Sequence, residues 1–316
     1  MYGDTPLPIE TPTAPNPPEG AIIDYSLTSI PDGDVMLTIS DARGKIVRTF
    51  TSVAPPEAKR LANVPSYWFA PPEVLTKNCG LNRFAWNLRY PNPKILPFGY
   101  FGGLLPFVEY TLAEHAVPGH TPRDQPEGPF ALPGDYTIEV SAGGRRDRQT
   151  LTVRPDPRVV ASPADLISQF EWASRLVEAL AVTYDGYTGL KELRATIAAR
   201  VKAFADARDA KDVASTVEAF DKKVEAIQIG TAAVPGLGLV NRDIARLYQM
   251  LLSGDARPAE RLQASVGDSC QALRTALDSW RRLNATDLPA VNTALARLSL
   301  PPFGEITVPT TPSCAP

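Results

Sequence analysis

Residues 149–166 read QTLTVRPDPRVVASPADL, and the spacing of the apolar residues changes within this stretch. Up to Arg154 apolar and polar residues alternate, which is typical of a half-buried β-strand. Two prolines in residues 155–158 then end the β region. From Ser162 onward apolar residues recur at helical spacing, with Ser162 placed as an N-cap and Pro163 at the first helical position. The stretch predicts a multidomain α+β chain with its strands first and its helices second.

The region before this change predicts about seven strands joined by turns, which fit an Ig-like antiparallel β-sandwich. Residues 35–40 alternate in polarity as a half-buried strand does. The strongest strand pattern lies at residues 80–90, where Phe84, Trp86 and Leu88 share one face. Because large aromatic side chains are usually buried, we expect Trp86 to be a core residue between two sheets.

The region after the change predicts an antiparallel α-helical bundle, because apolar stripes alternate with short loops. We expect the first helix to end at Asp185-Gly186, since this pair has turn chemistry. We also expect a loop over residues 230–238, a fourth helix over residues 241–252 and a fifth helix from Pro258.

Proline accounts for 32 of the 316 residues, and most of these prolines lie in residues 1–133 or in the last 16 residues. Such segments favour extended backbone over helix or central strand. The predicted organisation has four parts. They are an extended arm at 1–19, a β-sandwich at 20–155 with a proline- and glycine-rich insertion at 91–133, a helical bundle at 156–300 and an extended tail at 301–316.

Charge and hydropathy argue against two classes of partner. The net charge is −3 and the isoelectric point is about 5.6, with no basic patch or polybasic run for nucleic acid or an anionic membrane surface. No apolar run reaches about 18 residues, so we expect a peripheral rather than a membrane-spanning protein.

The first residues carry neither a basic segment nor an apolar one. A signal peptide is therefore expected either to be absent from this numbering or not to be encoded here. Cys79, Cys270 and Cys314 match no zinc motif. One pair of them can form a disulfide and leave one free thiol, and the spacing alone does not say which.

Residues with catalytic or metal-binding chemistry do not form a recognisable constellation. His115 and His120 lie in the insertion, where a metal site needs three or four converging ligands, so we expect solvated histidines. Neither a G-x-S-x-G nor a C-x-x-C-H motif occurs, and acidic residues alternate with basic ones along the helices. Trp172, Tyr184 and Tyr187 fit helix core better than a ligand patch. We predict no catalytic, cofactor-binding or metal-binding residue.

Five motifs occur in a fixed order over nearly the whole chain: DTPLP at 4–8, NPPEGAIIDY at 16–25, GLNRFAWNLRY at 80–90, PGDY at 133–136 and DPR at 156–158. This order resembles the C-terminal, post-propeller region of bacterial BNR-repeat, sortilin-like proteins often labelled glycosyl hydrolases. The β part is similar to the Ig-like domain of flagellar hook-capping proteins. The resemblance implies the fold and an exported, periplasmic location. Any hydrolase site of that family is expected in the propeller, so no catalytic residue is carried over.

These observations predict a non-catalytic structural or accessory subunit of a larger exported or membrane-associated protein complex. One candidate is a photosynthetic reaction-centre and antenna complex, capped on its periplasmic face. Extended arms can lie across a neighbour, and residues 95–108 are too apolar for a solvated loop. The predicted partner-binding residues are Tyr2, Leu7, Ile9, Ile95, Leu96, Phe98, Tyr100, Phe101, Leu104, Leu105, Phe107, Phe303, Ile306 and Val308.

Two alternatives remain open at this point. A carbohydrate- or peptide-binding module would be favoured by a solvent-exposed aromatic platform. A BNR-type glycoside hydrolase fragment would require a cleft with two carboxylates or a metal.

Overall fold

The computed structural model describes residues 10–12, 14, 17–18, 20–55, 73–96, 127–204 and 210–314. Within them the fold is mixed α+β, with two antiparallel sheets followed by helices. The chain divides into two compact units, Met1–Asn92 with Pro97–Phe170 and Pro93–Leu96 with Glu171–Pro316. We call the first the β unit and the second the helical unit.

The strands of the β unit include three that overlap the stretches predicted from the pattern of apolar residues, at 35–40, 80–90 and 149–154. The strands are β1 (Ala21–Leu27), β2 (Met36–Asp41), β3 (Ile46–Thr51), β4 (Gly80–Trp86), β5 (Gly134–Ala142) and β6 (Arg145–Val153). β1 pairs with β4, and the other strands form a second sheet in the order β3–β2–β5–β6, with antiparallel neighbours throughout. Six strands are thus present in the described ranges, against about seven expected from the turn spacing.

A single cluster of buried side chains contains residues from both sheets. Trp86 is fully buried within it, as predicted, and its ring meets Tyr136 edge-on at 5.6 Å between centroids. The indole Nε1 donates to the Arg89 carbonyl at 3.0 Å, which satisfies the polar end of the side chain. The strand ends sooner than the predicted residue 90, because Leu88 has left-handed backbone with φ 58°.

The helices are α1 (Pro163–Phe204), α2 (Ala210–Gln228), α3 (Leu237–Leu251), α4 (Glu260–Arg282) and α5 (Leu288–Arg297), with a π-helical turn at Leu283–Asp287 between the last two. α1 begins with the predicted cap: the Asp165 N–H donates to Ser162 Oγ, and the Ser162 N–H donates to the Asp165 carboxylate. None of the described helices is long and apolar enough to cross a membrane.

Two predicted helix boundaries were wrong. α1 runs through Gly186, because this glycine permits close packing instead of ending the helix. A Cβ added there would lie 2.8 Å from Leu237 Cδ1 and 3.1 Å from the Trp280 ring. α3 begins at Leu237 and not at Asn241, so Asn241 lies inside the helix on its buried side.

Candidate partner-binding site

The predicted partner-binding residues fall into two groups in the structure. Ile95, Leu96, Phe303, Ile306 and Val308 lie in the described ranges, and all belong to the helical unit. Phe303 is buried and the other four are half-buried. The remaining ones lie outside the described residues, as do His115 and His120: Tyr2, Leu7, Ile9, Phe98, Tyr100, Phe101, Leu104, Leu105 and Phe107.

The Asn241 side chain contacts the backbone of the segment Pro93–Leu96. The Leu96 N–H donates to Asn241 Oδ1 at 2.8 Å, and Asn241 Nδ2 lies 3.4 Å from the Lys94 carbonyl oxygen. One carboxamide therefore contacts both a backbone donor and a backbone acceptor of this irregular segment.

Asn241 is fully buried, so its polar atoms need partners inside the protein. Nδ2 also donates to Thr183 Oγ1 at 2.8 Å and lies 3.2 Å from the Leu180 carbonyl oxygen. Thr183, which is fully buried as well, donates in turn to the Ala179 carbonyl at 3.0 Å. This cluster holds the carboxamide in the orientation in which the carboxamide contacts the segment.

A second contact fixes the same segment at the surface of α1. Lys94 Nζ lies 2.8 Å from an Asp185 carboxylate oxygen, and both side chains are about half exposed. Exposed ion pairs of this kind contribute at most about 1 kcal/mol, so the buried amide contact holds the segment more strongly.

The tail is anchored by Phe303, whose side chain is 3% exposed. Its ring is stacked on Phe220 with 6.1 Å between centroids and 12° between planes, and the Arg200 guanidinium lies 4.5 Å from the ring centroid. The phenyl ring therefore has an aromatic neighbour and a cation over one face, two contacts that favour aromatic side chains.

Helix asparagines hold the tail backbone as Asn241 holds the other segment. The Phe303 N–H donates to Asn292 Oδ1 at 2.8 Å, and Asn292 Nδ2 donates to the Phe303 carbonyl at 3.0 Å. Asn284 Nδ2 donates to the Ile306 carbonyl at 2.8 Å. Arg200 donates to the Pro301 carbonyl, so the first part of the tail is bound mainly through its main chain.

The end of the tail is attached covalently. Cys270 and Cys314, with Cα atoms 5.9 Å apart, form a disulfide, and both are buried. Arg281 donates to Thr311 and Arg175 donates to Ser313 on the way. The prediction that one cysteine pair forms a disulfide and leaves one free thiol is confirmed, and the free cysteine is the exposed Cys79.

Two displaced pKa values in the described part of the chain belong to groups in ion pairs. Hydrogen bonds from Arg158 lower the pKa of Asp156 to about 2, and the hydrogen bond to Asp221 raises the pKa of Arg194. Both shifts come from ion pairs. No group of three or more His, Cys, Asp or Glu side chains with metal-binding geometry occurs among the residues described.

The side chains that hold these segments were missed by the sequence analysis. They are Asn241, Asn284, Asn292, Arg200 and Phe220. For Asn241 a signal was present, since it lies at helical spacing between the apolar residues Leu237 and Ile244 on the buried side of α3. A polar amide within an apolar stripe indicates a buried hydrogen-bond partner.

Comparison with protein-family models, with curated proteins and with solved structures found no match to this chain. The resemblance to the post-propeller region of BNR-repeat proteins stays a prediction.

Proposed function

We propose that this chain is a non-catalytic structural or accessory subunit that binds and stabilises a larger exported or membrane-associated protein complex. The observation that supports this most directly is the way asparagines on α3 and α5 hold two proline-flanked segments that lie outside the helices and strands. Both Asn241 and Asn292 contact a backbone N–H and a backbone carbonyl oxygen of the segment they bind.

Main-chain recognition of extended segments is a common way to bind another protein. The segment held by Asn241 leads directly into residues 97–108, the apolar stretch predicted to contact a partner. Fixing Lys94 and Leu96 on the helical unit fixes the point from which this stretch departs. Ordering one end of a binding segment in advance lowers the entropic cost of association.

The proposal includes the finer fold, an Ig-like β-sandwich followed by an antiparallel helical bundle. Two antiparallel sheets that share one buried cluster support the sandwich. Contacts of α4 with both α2 and α3, and of α2 with α5, support the bundle.

The exported location is supported by the Cys270–Cys314 disulfide, because such bonds persist mainly in oxidising compartments. The periplasmic position is what the resemblance to BNR-repeat proteins implies, and a photosynthetic reaction-centre and antenna complex is proposed only as one candidate for the membrane complex.

A peptide-binding module is the second candidate, and the same asparagine contacts favour it. The two functions differ in the lifetime of the complex. A structural subunit stays with its partners through purification, whereas a module with an exchangeable ligand loses them on dilution.

Native mass spectrometry of the protein, isolated gently from membrane and soluble fractions of its source, tests the proposal. We expect a mass well above 34.1 kDa, with distinct co-purifying chains. A lone 34.1 kDa species in every fraction would contradict the subunit function and favour the module.

The arm is tested in the same system by deleting residues 1–19. We expect the shortened chain to lose its partners and keep the circular dichroism spectrum of the full chain. Unchanged partner binding would show that the arm is not a contact segment, and a changed spectrum would call for single substitutions at Leu7 and Ile9.

A further inference from the structure

The tail lies on the helical unit in the way that a separate peptide segment would. Residues 301–314 form neither helix nor strand. Within this stretch only Phe303 and Cys314 are buried, and they lie near its two ends. The tail is thus attached at two anchor points, with half-buried or exposed residues between them.

The contacts that hold the tail do not require it to belong to the same chain. Asn292 makes two hydrogen bonds with the main chain of Phe303, and the Phe303 ring packs beneath the Arg200 guanidinium. Cys314 is bonded to Cys270 of α4. A second copy of this chain carries the same tail sequence, so its tail fits the same surface with each of these contacts unchanged.

The connection between α5 and the tail has a backbone conformation that is unfavourable for serine. Ser299 has a φ of 56° and donates to the Ala296 carbonyl, while the Leu300 N–H donates to the Leu295 carbonyl. This pair of bonds is the Schellman motif, in which the left-handed position is usually glycine. A side chain at that position adds a steric cost that glycine avoids. Extending the chain at Ser299 removes this cost and directs the tail away from its own helices.

We propose that the surface holding the tail, which we call the tail groove, binds the tail of a second copy of this chain, so that two copies exchange tails. The tail groove is formed by Arg200, Phe220, Asn284 and Asn292. Each copy donates one tail and receives one, so the dimer is closed and two-fold symmetric. The chain's own tail competes at high effective concentration, so the dimer fraction rises with protein concentration. The inference goes beyond the proposed function and does not depend on which complex the chain joins.

The exchange rearranges disulfides without net oxidation or reduction. A small thiol attacks the Cys270–Cys314 bond, forms a mixed disulfide with Cys314 and leaves Cys270 as a thiolate. After the tails exchange, the Cys270 thiolate of one copy attacks the mixed disulfide on Cys314 of the other, and the small thiol leaves. Two intramolecular bonds become two intermolecular ones, and the small thiol is recovered.

The test divides the two cysteines between two full-length variants. Both carry Cys79→Ser, which removes the exposed free thiol. The tail donor also carries Cys270→Ser and keeps only Cys314, and the groove donor also carries Cys314→Ser and keeps only Cys270. The two variants are mixed in a glutathione redox buffer and run on a non-reducing gel. We expect a reducible band at twice the chain mass of 34.1 kDa. It should be at least about tenfold stronger in the mixture than in either variant alone, because the docked tail raises the effective concentration of the two thiols.

Two further substitutions in the tail donor show whether a docked tail is responsible. Phe303→Ala removes the buried anchor, and we expect the linked band to weaken about tenfold. Phe130→Ala is the matched control, since it removes an aromatic residue of the β unit that also contacts an arginine, and the band should keep its strength. Circular dichroism confirms that the variants compared are folded.

A second measurement keeps both native cysteines of the tail bond. The Cys79→Ser chain is refolded in the same buffer at rising concentration, and the linked dimer is quantified. We expect the dimer fraction to rise with concentration. Ser299→Gly should lower that fraction about tenfold at a fixed concentration, because glycine adopts the closed conformation without the steric cost. This measurement also decides the question where a divided-cysteine variant does not fold.

The proposal is overturned if the mixture of folded variants gives no more linked dimer than each variant alone, or if Phe303→Ala leaves the band unchanged. A Cys79→Ser chain that stays monomeric at every concentration overturns it as well. All of these experiments use the purified chain without other proteins. Failure of the proposed function appears instead as the absence of distinct co-purifying chains, so the two failures are distinguishable.

Discussion

At the scale of single residues, the helical unit depends on a buried amide more than on its surface charges. Asn241 has no solvent exposure and contacts Leu96, Lys94, Thr183 and Leu180. A buried polar group that loses its hydrogen-bond partner destabilises the folded protein, because no water molecule is there to replace that partner. Removal of this side chain leaves the Leu96 amide and the Thr183 hydroxyl with fewer partners.

We therefore expect Asn241→Ala to lower the free energy of unfolding by about 2–4 kcal/mol. The matched control is Asn92→Ala, where an exposed asparagine accepts a hydrogen bond from the Gly128 N–H, and we expect a loss below about 1 kcal/mol. Urea unfolding followed by far-UV circular dichroism provides both values. Equal losses for the two variants would contradict the structural role of Asn241.

In the β unit, burial raises the pKa of Tyr136 to about 12. Its hydroxyl donates to the Leu132 carbonyl at 2.6 Å. Because the folded pKa lies above the unfolded value of about 10, this stabilisation is complete below that pH and is lost as the pH rises towards the folded pKa.

Replacing Tyr136 with Phe should cost about 1 kcal/mol near neutral pH, through the lost hydrogen bond. The difference in unfolding free energy between wild type and Tyr136→Phe should then shrink as the pH rises above about 10. Urea unfolding at a series of pH values measures this difference. A difference that stays constant into this range would show that the pKa of Tyr136 is not raised in the folded protein.

At the scale of elements, the length of α1 is set by packing at a glycine. Gly186 interrupts the helical pattern in the sequence, yet α1 continues from Pro163 to Phe204. The space that a side chain would need at this position is filled by Leu237 and Trp280, both fully buried. Close approach of α3 and α4 to α1 thus compensates for the poor helix propensity of glycine.

Two Gly→Ala substitutions separate these effects. In Gly186→Ala the added methyl meets a packed core, and we expect a loss of about 1–2 kcal/mol. In Gly267→Ala, inside α4, the added methyl meets open space, and we expect a gain of up to about 1 kcal/mol from helix propensity. Thermal unfolding by circular dichroism compares the pair. A gain in stability for both variants would mean that Leu237 and Trp280 move aside to accommodate the methyl group added at Gly186.

At the scale of the whole molecule, one covalent bond connects the end of the chain to α4. The cysteines are 44 residues apart in sequence, so the disulfide removes much of the freedom of the unfolded segment between them. We expect Cys314→Ser to lower the unfolding free energy by about 2–4 kcal/mol.

Cys79→Ser is the control, since this cysteine is exposed and free, and its effect should stay within about 0.5 kcal/mol. Unfolding with and without a reductant completes the comparison. Wild type should lose stability on reduction, whereas Cys314→Ser should not change. A reductant effect that persists in Cys314→Ser would show that it does not act through this bond.

Much of the local structure was predictable from the sequence alone. The α+β order, the positions of the strands, the buried Trp86 and the Ser162–Asp165 cap all follow from patterns within a few residues. Side chains that alternate or recur at helical spacing specify an element and its buried face, because the backbone geometry of strand and helix is local.

The tertiary structure alone decided which distant residues meet. Asn241 binds Leu96 across 145 positions, Cys270 pairs with Cys314 and not with Cys79, and Phe303 is covered by its own helices. The sequence predicted that Phe303 contacts another chain, whereas in the structure its ring packs against Phe220 and Arg200 of the same chain. Contacts of this kind depend on how the elements pack, and the periodicity of apolar residues along the chain does not predict that packing.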